Sequence, residues 1–169
     1  EGRIPGRGPM FTEYSGVLFR GVRVAGEARL LSKLPEIPRS LGDGVPLWQA
    51  EIPVDRSLPF IYDGCTGIVF PIHTSVRVAR EAGLPDLVLQ GTATLALTAR
   101  QIVNSECDGI PFALKEIACR FTGMVVPGAA IQFRLLGRDR HQGRTGVFFD
   151  VLSAGGNPAL SSGFASVEM

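Results

Sequence analysis

Among the 169 residues, His73 stands where a side chain with chemistry near neutral pH would be placed by design. It ends the apolar run Ile68-Val-Phe-Pro-Ile72 and precedes Thr74-Ser75, a pair suited to starting a helix. A neutral imidazole there could act as a base or orient a water; the plain alternative is a core or capping histidine. Asp63 lies ten residues earlier beside Gly64. A carboxylate in that setting either closes an Asx turn or reaches back toward the ring. Gly91-Thr-Ala93 opens an apolar run, and a helix beginning there would present unpaired N–H groups at its positive dipole end, suited to a carbonyl oxygen gaining charge. Gly91 would let such a carbonyl approach closely, or would only ease packing at the helix entrance. Gln90, Thr92 and Tyr62 are the neighbouring side chains able to hydrogen-bond a substrate.

Other chemistries find less support. Cys65, Cys107 and Cys119 are odd in number and lack CxxC spacing, and His73 and His141 are far apart, which argues against a zinc site or a disulfide framework. No metal and no cofactor is expected. Cys65 has no histidine at a suggestive offset, so it reads as a small buried residue, not a nucleophile. Seventeen Lys+Arg against sixteen Asp+Glu leave a formal charge of +1, too little to attract nucleic acid. No apolar run approaches the roughly 20 residues of a spanning helix, and residues 1–8 lack a signal peptide's apolar stretch, so no membrane partner is expected and the cytoplasm is the expected compartment. Arg77 and Arg80, or Arg138, Arg140 and Arg144, could meet phosphates, though such arginines more often solvate a surface.

The elements that must position these groups follow from pattern. Residues 1–10 read as a flexible arm or a foreign remnant, and residues 11–169 as one domain with an N-terminal strand extension. Apolar residues from Gly16 to Leu31, broken by Gly21 and Gly26, suggest two short strands or one bulged strand. Pro35 to Gly44 is a loop, and Val45 to Val54 an edge strand. Residues 57–67 end in a polar turn. A short helix fits residues 74–83, with Thr74 or Ser75 as N-cap and Gly83 as stop. From Gly91 to Asn104 the apolar residues spread around most of a helical wheel, predicting a buried helix that Thr92 could cap. Strands are then expected at Glu116–Val126, Ala130–Leu136, Gly146–Leu152 and Gly163–Met169, and the period of two in Ile131, Phe133 and Leu135 marks a sheet with one buried face. The result is an α+β fold: a curved antiparallel sheet wrapped around a long central helix.

Phe70-Pro-Ile-His-Thr74, the helix ending Ala82-Gly-Leu-Pro85, Leu89-Gln-Gly-Thr92, and Arg120-Phe-Thr122 followed by Val125-Val-Pro-Gly128 together resemble the MaoC-like hot-dog family of (R)-specific enoyl-CoA hydratases and hydroxyacyl-thioester dehydratases. The resemblance runs from about Ile52 to Met169. It implies a hot-dog fold paired as a double hot-dog, with a homodimer expected and pairing with a different hot-dog subunit left open. It also implies reversible hydration of an enoyl thioester of coenzyme A or carrier protein, with His73 as base or water-orienting group and the Gly91 helix end as oxyanion site. In typical members a carboxylate stands five residues before the histidine and an asparagine three before it; here these are Ile68 and Phe70. Asp63 is the substitute carboxylate to consider. That departure keeps open a thioester-binding or structural subunit without chemistry, and a thioesterase on the same scaffold.

Overall fold

The computed structural model describes residues 2–3, 5–6, 8–17, 21–27, 29, 33–39 and 44–168. The chain divides into two compact units, Glu1–Glu36 and Ile37–Met169. In the first, β1 (Gly2–Arg3) pairs antiparallel with β2 (Pro9–Phe11), so the stretch read as an arm without fold contains a short ladder. The strands expected over 16–31 do not form among the described residues there. Gly21 and Gly26 take positive φ, which interrupts an extended run, and Val17, Val22 and Val24 remain exposed. Leu18, Phe19, Ala28, Leu30 and Leu31 lie outside the described residues.

The second unit runs β3 (Trp48–Pro53), α1 (Leu58–Thr66), a 3-10 turn at Pro71–His73, α2 (Val76–Glu81), α3 (Gly91–Glu106), a 3-10 turn at Pro111–Ala113, β4 (Leu114–Phe121), β5 (Ala130–His141), β6 (Arg144–Leu152) and β7 (Pro158–Val167). Its strands form one sheet in the order β3-β5-β6-β7-β4, every neighbouring pair antiparallel. Of the four strands expected after α3, read as one antiparallel meander with its first turn at Pro127-Gly128, β5, β6 and β7 follow one another so, whereas β4 pairs with β7 at the far edge and not with β5. β3 and β4 take the two edges, consistent with the prolines at and before β3.

Alternation in β5 works as its sequence requires: Ile131, Phe133 and Leu135 are buried while Gln132 and Arg134 are not. Phe133 stacks on Phe149 of β6 at 5.8 Å and meets Trp48 of β3 at 5.3 Å, so three strands share one aromatic seam. Beside that seam Arg134 lies opposite Asp150 and donates two hydrogen bonds to its carboxylate, at 2.7 and 2.5 Å. That pairing raises the guanidinium pKa above its ordinary value.

Two elements differ from expectation near the functional residues. Residues 57–67 form α1 instead of a turn. Pro59 suits the first helical turn because it needs no N–H partner there, Leu58 and Tyr62 pack against the core, and Gly67 ends the helix in the left-handed region at φ 67°. The strand expected to Val126 stops at Phe121, because Thr122 and Gly123 turn onto the backbone of Ala159 and Val125 gives its carbonyl to Leu89 N–H at 2.8 Å.

The central helix α3 buries Ala93, Thr94, Thr98 and Ile102, while Thr92, Ala96, Arg100 and Asn104 form an exposed stripe at intervals of four. It is therefore buried along one face and its flanks, and not all round. The buried threonines satisfy their hydroxyls within the helix: Thr98 donates to the Thr94 carbonyl at 2.8 Å. Glu106 in its last turn accepts two hydrogen bonds from Arg138 of β5, at 2.7 and 2.8 Å, which ties the helix end to the sheet.

Candidate active site

His73 closes the 3-10 turn that Pro71 begins, and Ser75 then caps α2 by accepting from Val78 N–H, so the imidazole is carried on a short, doubly anchored connection. Its Nδ1 lies 2.7 Å from the carbonyl oxygen of Val88. A carbonyl can only accept, so Nδ1 carries the hydrogen, and in the neutral ring Nε2 keeps its lone pair. Phe70 lays its ring edge-on to the imidazole at 5.8 Å. The ring borders a cleft of about 230 Å³ that also reaches Gly91, with Leu89, Val125 and Leu160 as buried floor and Phe121 and Met124 at the rim.

Residues 88–91 hold the site together. Val88 orients His73 through its carbonyl. Leu89 is pinned to Val125. Gln90 turns its side chain into the protein, where it is 2% exposed, and its Nε2 donates to the Pro59 carbonyl at 2.9 Å and to Asp63 Oδ1 at 2.5 Å. Gly91 then begins α3. One short segment thus positions the imidazole, the Asp63 carboxylate and the mouth of the helix. Gln90 Oε1 is buried without a hydrogen-bond partner, so the amide's orientation is dictated by the two acceptors facing its nitrogen. Gln90→Ala removes both bonds at once and leaves the Asp63 carboxylate without its amide donor. A loss of about 1–3 kcal/mol is expected, read from urea unfolding midpoints.

The expected site residues therefore separate. His73 and Gly91 share the cleft. Asp63 sits in α1 and takes its hydrogen bond from Gln90, not from His73, so the two do not form a directly bonded pair. Gln90, expected as a substrate-binding residue, is buried with its amide nitrogen turned to Pro59 and Asp63 and is not among the residues lining the cleft. Thr92 is exposed on the first turn of α3, outside the cleft lining; Gln90 occupies the N-cap position, and no side chain caps that end. Tyr62 is half-buried against the core. Gly91 has no positive φ; a Cβ there would stand 2.9 Å from Cδ1 of Phe121, so any side chain at 91 would push that ring aside. Phe121, Met124 and the Val88 carbonyl were not legible as site groups, the last because a main-chain acceptor carries no residue type.

The arginines divide as well. Arg138 is occupied by Glu106, Arg144 lies 3.3 Å from Glu168, and Arg77 lies 3.9 Å from Glu81. Arg80 and Arg140 are exposed. Cys65 is exposed, not buried as its small size suggested, because α1 turns it outward. Cys107 is buried, and burial pushes the half-buried Cys119 thiol up to about 11. Alkylation with iodoacetamide at about pH 8 is expected to modify Cys65 and spare the other two, since the thiolate is the reacting form; peptide mass spectrometry reads the pattern.

Residues 42–152 match the family model described as MaoC like domain. The chain belongs to the MaoC-like dehydratase family. This MaoC-like chain is 27% identical over 161 residues to a protein named probable enoyl-CoA hydratase 2 from Dictyostelium discoideum, covering 95% of this chain and 53% of that protein. Among solved structures, a MaoC-like dehydratase from Phytophthora capsici aligns with a TM-score of 0.72 at 21% identity, over 82% of this chain and 45% of that one. An (R)-hydratase from A. caviae involved in PHA biosynthesis aligns with a TM-score of 0.62 at 12% identity, over 77% and 99%. The fold is accordingly the hot-dog fold. The MaoC-like chain spans about half the length of the Dictyostelium relative.

Proposed function

We propose that this MaoC-like chain is a hydro-lyase that adds water to, or removes it from, an enoyl or 3-hydroxyacyl thioester of coenzyme A or carrier protein. The observation carrying this reading is the hydrogen bond from His73 Nδ1 to Val88, which leaves Nε2 as proton acceptor on a ring bordering the same cleft as the start of α3. In the hydration direction Nε2 takes a proton from water as the oxygen attacks the β-carbon. The free N–H groups of the first turn of α3 receive the charge that gathers on the thioester oxygen; as that charge returns, the α-carbon takes the proton from Nε2, which restores the neutral ring. The names of the relatives support an enoyl-CoA substrate. A homodimer, in which two such sheets pair as a double hot-dog, belongs to the same reading, as does a cytoplasmic location, with which three free cysteines agree. The test is loss of enoyl-thioester absorbance when the protein meets a panel of trans-2-enoyl-CoAs. Turnover of about 1 per second or faster supports it, and no turnover across the panel refutes it.

A second reading is favoured by Phe70 against the imidazole and by Asp63 held by Gln90. It makes the chain a thioester-binding subunit without chemistry. It predicts binding of acyl-CoA with no change in the acyl group, whereas release of free thiol in the same assay would instead identify a thioesterase.

A further inference from the structure

We propose that the cleft beside His73 takes a short acyl group and that Phe121, with Met124, sets its length. This rests on the thioester reading above and adds which thioesters fit. The cleft of about 230 Å³ is smaller than the roughly 300–1,000 Å³ that holds drug-sized ligands, and equals the liquid volume of about eight waters. That is room for the reacting end of a thioester with a stub of about four carbons, and little more.

The walls differ in whether they can yield. Leu89, Val125 and Leu160 form the floor, each at most 4% exposed and each a member of the central hydrophobic cluster. They cannot recede without opening the core. The rim is different: Phe121 is 54% exposed and Met124 60%. Pairing of Phe121 with Leu160 holds its backbone in the ladder. Its ring lies against Gly91, where a Cβ would stand 2.9 Å from Cδ1, and so narrows the cleft at the level of the α3 entrance. Replacing that ring by a methyl group widens the cleft along the rim while leaving the floor intact. Because the ring is half in solvent, the fold does not depend on it.

The experiment is isothermal calorimetry with saturated acyl-CoAs from acetyl to decanoyl, which bind without reacting, on the full chain and on Phe121→Ala. Each methylene that finds apolar wall strengthens binding about fourfold. In the unaltered protein the gain is expected to stop near butyryl, and in Phe121→Ala to continue to hexanoyl or octanoyl. Phe112→Ala, which removes an exposed ring outside the cleft lining, is expected to leave the break where it was. Tighter binding of octanoyl than butyryl by the unaltered protein, or an unmoved break in Phe121→Ala, overturns the proposal. Chain-length dependence as expected but without hydration of the matching enoyl-CoAs supports this proposal and removes the lyase reading. No acyl-CoA binding at any length overturns both.

Discussion

Substituting His73 by alanine is expected to lower kcat for enoyl-thioester hydration by about 10²–10⁴-fold, the contribution of a positioned general base, with KM little changed. The geometry makes a sharper version possible. In His73→Gln the side-chain amide keeps an N–H donor that can serve the Val88 carbonyl, so the connection between the 3-10 turn and residue 88 can survive while the proton-accepting nitrogen is lost. Both variants should therefore be inactive, and Gln should fold closer to the unaltered protein than Ala. Steady-state kinetics with a short enoyl-CoA, alongside urea unfolding, separates the two effects. Full activity in His73→Gln would show that the imidazole takes no proton.

Phe149→Ala is expected to cost about 3–5 kcal/mol, out of a total stability of roughly 5–15 kcal/mol for a domain. Phe149 is fully buried at the centre of the sheet, stacked on Phe133 and lying over Gly163, where even a methyl group would stand 2.5 Å from the ring. β5 and β7 pair with its strand on both sides, Leu135 and Gly163 lying opposite Phe149, so the backbone is held from closing into the space left behind. The fall should appear as a lower urea midpoint with little change in slope. A loss under about 1 kcal/mol would mean that the seam repacks around the gap.

How far residue types alone reach is visible element by element. β5 was legible because one face of it is buried and the other carries Gln132 and Arg134; α2 was legible because Ser75 and Gly83 are its chemical ends. α1 carries its own end signals, Ser57-Leu-Pro59 at its start and Gly67 at its stop. Gly64 and Thr66 made the same stretch look like a turn. The end of β4 depended on contacts made with Ala159 and Leu89, distant in sequence, and so had no local sign. At the site, the motif around His73 singled out an imidazole that the fold places on a cleft with Gly91. The partner of Asp63 lay 27 residues away in Gln90, and the neighbour of Gly91 lay in Phe121, pairings that only the folded chain creates.

Residues 88–91 carry a liability along with their economy. Since the imidazole, the carboxylate and the opening of the long helix all hang from four consecutive residues, a shift in that stretch moves them together and cannot spoil one while sparing the rest. Lesions there should switch the protein off outright, whereas changes at the rim should only retune it.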